Sequence, residues 1–320
     1  MDKSLNLSRH IFFPHYQERR EEVEASGASF VHYTTAATAQ LILDNCKIWM
    51  RSTGVMNDYS EVQHGIDCLK RALASESGSR LKESLNQCFQ GIADEIVTQF
   101  FEWAPYIAID TFITSFSEYR PEKDPFGRLS MWRAYGGECG VAIIFKPDVF
   151  FSDANVLGVQ SSPVAYLDAD GIALELDRVA QRIRENMQYV HNLGRDTVFN
   201  LVSQALRFAA ICTKHPAFKE EQEWRVVTTR SLDESKYVQQ SIKAVGGIPQ
   251  PILQIELKEY PGTGMPSLAP ASFVERILIG PCQYPITIHR ALAETLRSLG
   301  HPEPFASVQS TNIPLRSNQR

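Results

Sequence analysis

Strand-sized apolar runs and helix-length amphipathic stretches follow one another in this chain without regular alternation and without an internal repeat. That mixed order predicts an α+β domain and argues against a doubly wound parallel sheet or an eight-unit barrel. Phe30 to Tyr33, Lys47 to Met50, Phe112 to Ser117, Val141 to Phe145, Trp224 to Thr228, Ile252 to Leu257 and Arg276 to Ile279 read as strands. Helical signals lie between them. Thr34 or Thr35 can cap a helix over Ala36 to Leu43, and a long stretch from Glu61 to Trp103 breaks around Ser75 to Ser79. In its second half Leu81, Leu85, Cys88, Ile92, Ile96 and Phe100 recur at steps of three and four, the spacing of one helix face. Leu176, Val179, Ile183, Met187 and Val190 repeat the pattern, followed by Val198 to Cys212 and by a helix around Ala291 to Leu299. The expected organisation is a lead-in segment over residues 1–28, one α+β domain over 29–300 with helical insertions at 61–103 and 171–213, and a polar tail over 301–320.

Composition narrows the class. With 43% hydrophobic and 22% charged residues the 320-residue chain has enough apolar content for a closed core, which excludes disorder as its dominant state. A net charge of −5 gives no broadly basic surface for a nucleic-acid backbone and leaves room for local basic patches. The N-terminal run has no apolar h-region, and no run reaches the about 18 apolar residues of a membrane span, so a cytoplasmic protein with no membrane partner is expected. The six cysteines stand singly, with no CxxC or Cys/His spacing of a zinc site, and are expected to be free thiols. No GxGxxG follows a strand, and GxxxxGK[ST], HExxH and the EF-hand pattern are absent.

Five short constellations concentrate polar chemistry. In His32-Tyr33-Thr34, strand alternation puts His32 and Thr34 on one face and Tyr33 on the other, either to meet a ligand edge or as a satisfied structural histidine beside a helix cap. Met56-Asn57-Asp58-Tyr59-Ser60-Glu61 either caps the following helix or brings Asn57 and Glu61 into a cleft. Ser115-Phe116-Ser117 gives two hydroxyls on one strand face, and Met131-Trp132-Arg133-Ala134-Tyr135-Gly136-Gly137 supplies aromatics and a guanidinium that could stack a ring and clasp phosphates or fill the core. Glu221-Gln222-Glu223-Trp224-Arg225 is the sharpest of them. Read as a strand, it places Glu221, Glu223 and Arg225 on one face, where two carboxylates repel unless a cation or a polar ligand lies between them.

Together with Gly140 and Ile279-Gly280-Pro281, these motifs resemble the bacterial family called domain of unknown function 2971, over about residues 30–285. A more distant resemblance is to mono-ADP-ribosyltransferases. It implies a mixed split sheet around a cleft that takes NAD as substrate, with His32 at the first core position, Ser115 or Ser117 at the second, Glu223 at the third, and Glu221 as the upstream member of a Glu-x-Glu pair. The helical insertion ahead of Ser115 is long for that pattern. Under this resemblance Glu223 stabilises positive charge on the ribose as the nicotinamide bond breaks, assisted by His32 and Glu221. His32, Tyr33, Thr34 and Asn57 contact the cofactor, Arg133 or Arg225 offsets the pyrophosphate, and Trp132 or Tyr135 stacks on a ring. No metal is implied. The resulting expectation is an ADP-ribosyltransferase or NAD glycohydrolase of bacterial defence or toxin type, acting on a protein or nucleic-acid acceptor. A nucleotide- or protein-binding module is the alternative, and a nucleotide or nucleic-acid hydrolase the third reading.

Overall fold

The computed structural model describes residues 3–55, 59–233 and 235–314. The helices are α1 (Lys3–Phe12), α2 (Pro14–Ala25), α3 (Ala36–Asn45), α4 (Tyr59–Leu73), α5 (Glu76–Cys88), α6 (Ile92–Asp110), α7 (Leu129–Tyr135), α8 (Ala169–Glu185), α9 (Met187–Leu193), α10 (Arg195–Ile211), α11 (Pro270–Phe273) and α12 (Pro285–Ser298). The strands are β1 (Ser29–Thr35), β2 (Lys47–Ser52), β3 (Thr111–Tyr119), β4 (Gly140–Phe145), β5 (Gln160–Pro163), β6 (Ala165–Tyr166), β7 (Thr213–Lys214), β8 (Glu223–Thr229), β9 (Val238–Val245), β10 (Ile248–Glu256), β11 (Val274–Ile279) and β12 (Val308–Ser310). The fold is α+β. Ten strands form one mixed sheet, and β6 and β7 form a separate parallel pair.

The sheet is forked, and β3 is the fork. One edge of β3 pairs with β8 along Thr111 to Ser117, and β8 pairs onward with β5. The other edge is shared by two strands. β1 pairs only with Ser117, Glu118 and Tyr119, and β2 only with Phe112 and Ile113. Two arms leave from there, β1-β4-β11-β12 and β2-β10-β9. Across the split, backbone groups of β3 have no strand partner on that edge, and buried carbonyls need one. His32 answers part of that need by donating from Nδ1 to the Ser115 carbonyl, 2.9 Å away.

Register decides which side chains share a face. Ser115 lies opposite Arg225 and Ser117 opposite Glu223, so these four point to one side of the sheet together with Ile113 and Val227. That side is covered by the helices of the two insertions, α4 to α6 and α8 to α10, whose apolar stripes meet Ile113 and Val227 in one core cluster. Phe112, Phe116 and Trp224 point the other way, into a second cluster with Phe30, Phe145 and Phe273.

Local chemistry fixes the element ends. Thr35 caps α3 by accepting from the Thr38 N–H at 3.2 Å, and Cys46 closes that helix in the left-handed region at φ 47°. The expected break in the long helix lies at Ser75, where α5 begins, and a second follows at Gly91, whose φ of 75° suits a residue without Cβ. The lead-in segment is α1 and α2, anchored by buried Ile11, Phe12 and Val23. The tail corrects the expectation. Its Val308–Ser310 stretch adds to the sheet as β12, parallel to β11, because Val308 pairs with Ile277 and is buried. All six cysteines are free.

Candidate functional site

Glu223 opens β8, and its neighbours are set by the turn before it. Residues 216–221 form a single 3-10 segment, and Gln222 follows with φ 43°, a left-handed conformation that reverses the chain into the strand. Arg128 clamps this turn. It is buried, and donates to the Glu221 carbonyl at 2.9 Å, the Glu118 carbonyl at 2.7 Å and the Gln222 side-chain oxygen at 2.5 Å. Tyr33 ties the clamp to β1, since its hydroxyl accepts from the Arg128 N–H at 3.0 Å.

The turn delivers both glutamates to one cation. Lys214 on β7 donates to Glu221 at 2.6 Å and to Glu223 at 3.0 Å, and pairs with Glu61 of α4 at 3.0 Å. Arg225, fully buried, donates from Nε to Glu223 at 2.8 Å, and from its other nitrogens to Glu61 and the Ile211 carbonyl. Ser115 completes the set by donating to Glu223 at 2.6 Å. The Glu223 backbone N–H donates to the Tyr166 hydroxyl at 2.7 Å. Among the described residues the cluster thus holds three carboxylates against two cations.

Electrostatics separates the two members of the Glu-x-Glu pair. Burial pushes the Glu223 carboxyl up, but Arg225 and Lys214 outweigh it and hold it down at about 2, so Glu223 stays anionic. Glu221 goes the other way. Burial raises it, and repulsion from Glu223 and Glu61 adds to that against the pull of Lys214. The two carboxyls of the pair are therefore shifted in opposite directions within one cluster.

Several expected site residues lie elsewhere. His32 does not share a face with Glu223: Val31 pairs with Ser117, so alternation turns Val31 and Tyr33 to the Glu223 side and His32 and Thr34 away from it. The His32 ring packs against Phe116 at 5.6 Å. His32 and Glu223 thus reach Ser115 from opposite sides, one at its carbonyl and one at its hydroxyl. Arg225 is consumed by the cluster and is not placed to offset a pyrophosphate. Trp132 is buried, with its Nε1 donating to the Phe126 carbonyl at 2.9 Å and its ring edge-on to Tyr33 at 5.0 Å, which makes it core and not a stacking platform. Arg133 and Tyr135 are exposed on α7, and Ser117 is buried beside the cluster. Asn57 lies outside the described residues. Glu221 is not on the strand as expected, yet the left-handed Gln222 still brings it to Glu223 through Lys214.

Lys214, Tyr166 and Arg128 are the participants that sequence reading misses. Lys214 had one legible signal: two nearby glutamates that repel require a cation, and this lysine stands seven and nine positions upstream of them. Among the described residues no group of three or more His, Cys, Asp and Glu side chains is placed to hold a metal ion; the three carboxylates converge on an ammonium instead.

The segment from α7 to the middle of β8 carries Lys214, the Glu-x-Glu pair and Arg225, and it decides the comparison with known families. Residues 131–226 match the family described as Protein of unknown function (DUF2971). The DUF2971 match spans just under a third of the chain and leaves out Glu61, Ser115 and His32, which join the cluster or its surroundings from earlier elements. No curated protein and no solved structure matches the chain. Among the described residues no helix is long and apolar enough to cross a membrane.

His32 gives a pH prediction. Burial lowers its pKa against the opposing pull of the Ser115 carbonyl, so the folded state prefers the neutral ring. A depressed folded value means that this contribution is present above the ordinary value of about 6.5 and is lost as pH falls below it. His32→Gln, which keeps a donor for the carbonyl, is expected to lose less stability than the parent between pH 7.5 and 5.5 in urea unfolding (pH values on the order of one unit either side of that midpoint). Equal losses in the two proteins would contradict this assignment. Differencing against the parent removes the similar contribution of His15, which burial also lowers.

Proposed function

We propose that this chain is a NAD-consuming enzyme similar to ADP-ribosyltransferases, with Glu223 as the carboxylate that faces the reacting ribose. One observation carries the reading: the strands bearing Glu223, Ser115 and the His-Tyr-Thr motif lie side by side as β8, β3 and β1, and the Ser115 hydroxyl orients an anionic Glu223 at 2.6 Å. Breaking the nicotinamide–ribose bond builds positive charge on the sugar. That charge moves to the sugar from the pyridinium ring, which leaves as neutral nicotinamide, and a cluster with three carboxylates against two cations among the described residues favours it beside Glu223. Glu221 is the second member of the Glu-x-Glu pair, held by the same ammonium. His32 is a positioning residue here, holding the Ser115 backbone at the fork. The acceptor is water or a group on a protein or nucleic acid, and a defence or toxin role fits either.

A second reading draws support from the saturation of Glu223, whose two oxygens are already held by Ser115, Arg225 and Lys214. In that case the cluster is a rigid part of a nucleotide-binding module that leaves its ligand intact. Release of nicotinamide from NAD separates the two. The enzyme reading expects release by the parent and a fall of about two to three powers of ten in Glu223→Gln and in Ser115→Ala, with circular dichroism reporting the fold of each. NAD bound but unchanged after prolonged incubation selects the binding module, and neither binding nor turnover removes both.

A further inference from the structure

Protein interiors pack at crystal-like density, and voids larger than a water molecule are few. On the side of the root strands away from Glu223 lies a cavity of about 340 Å³, within the range of small-molecule sites. Its floor is Thr114, Phe116 and Val226 from β3 and β8, the residues that alternate with Ser115 and Arg225. Its walls come from α1 and the start of α2, from α10 and from the loop between β4 and β5, with Phe150, Leu201, Phe208 and Leu257 among the lining side chains.

We infer that this cavity binds an uncharged, largely apolar small molecule. Charge decides the class. Arg9 and Asp153 are the charged lining residues, and they pair with each other at 2.8 Å, while Arg20 supports Asp153 at 3.4 Å from outside the lining. An ionised head group would have to break that pair or stay uncompensated, which a low-dielectric site penalises. A pyrophosphate is excluded on the same ground, so this site is separate from the one proposed for NAD. Polar recognition is sparse. Thr114, a buried residue of the floor, makes no side-chain hydrogen bond among the described residues, whereas Gln204 and Gln160 are bonded to each other at 2.6 Å. One hydroxyl or carbonyl on the ligand would satisfy Thr114 and set its orientation.

The test titrates the neutral fluorophore N-phenyl-1-naphthylamine into the full chain. Saturable enhancement at a single site is expected, with 1-decanol displacing the probe at a concentration lower than decanoate needs by about tenfold or more. Leu201→Trp and Ala154→Trp fill the cavity from different walls, and each is expected to weaken probe binding by about tenfold or more while circular dichroism shows a folded chain. No saturable enhancement, unchanged affinity in the folded variants, or displacement by decanoate as good as by decanol would each overturn the inference. None of these readouts depends on NAD turnover.

Discussion

Arg225→Met is expected to destabilise the protein by about 3–5 kcal/mol at neutral pH, the usual consequence of removing one partner from a buried ion cluster. The side chain is fully buried, and its three nitrogens serve Glu223, Glu61 and the Ile211 carbonyl. Methionine fills similar volume and supplies none of these donors. Among the described residues Glu223 and Glu61 are then left with Lys214 as their one cation, inside a space where an uncompensated carboxylate is expensive. The deficit should depend on pH with a known sign. Glu223 is held near 2 in the folded state, below the ordinary carboxylate value of about 4.3, so its contribution is complete above the ordinary value and disappears as pH falls toward the folded one. The gap between parent and variant is therefore expected to narrow as urea unfolding is repeated from pH 7 down toward about 3. Adding Glu223→Gln to Arg225→Met should recover part of the loss, because the second change removes the charge that the first left unpaired. A gap that stays constant with pH would place the role of Arg225 in packing alone.

Much of the fold is legible in local chemistry. The residues of the three-and-four spacing from Leu81 to Phe100 all pack in the core, although the break at Gly91 divides them between α5 and α6 where one helix face was expected, and the strand signals at β1, β3, β4 and β8 lie where apolar residues are dense. Two of the strands that sequence reading misses lie in polar stretches and are defined by their pairing. β9 is exposed and largely polar along Val238–Val245, and becomes a strand through its antiparallel pairing with β10 across the two-residue Gly246-Gly247 turn, a hairpin signal that the strand reading passed over. β12 sits in a polar stretch and depends on β11 in the same way.

The site divides along the same line. Alternation within His32-Tyr33-Thr34 is a local property and holds. Which of its two faces meets Glu223 is set by the pairing of Val31 with Ser117, residues separated by the four helices α3 to α6, and no local signal encodes that register. The Glu221–Glu223 repulsion correctly demands a cation, yet both Lys214 and Arg225 answer it, and only the strand register and the left-handed Gln222 assign their shares.

Trp132 supplies the second large effect, because its sequence context suggests ligand stacking and its surroundings are those of a core residue. Trp132→Ala is expected to destabilise by about 3–5 kcal/mol, as large-to-small changes at buried aromatics do. The ring is packed by glycines: a Cβ built on Gly127 or Gly140 would come within 2.9 Å of it, and one on Gly280 within 2.6 Å. Gly280→Ala alone should therefore destabilise by overpacking, by about 1–3 kcal/mol. Combined with Trp132→Ala the added methyl enters the space that the indole vacated, so the double variant is expected to be more stable than the sum of the two changes allows. A ring that served mainly to stack on a bound base would behave differently: Trp132→Ala would leave the unfolding midpoint near that of the parent and weaken ligand binding instead. Urea unfolding of the two single variants and the double variant separates these outcomes without any ligand, since only a ring that fills the core can make the Gly280 substitution less harmful by its own removal.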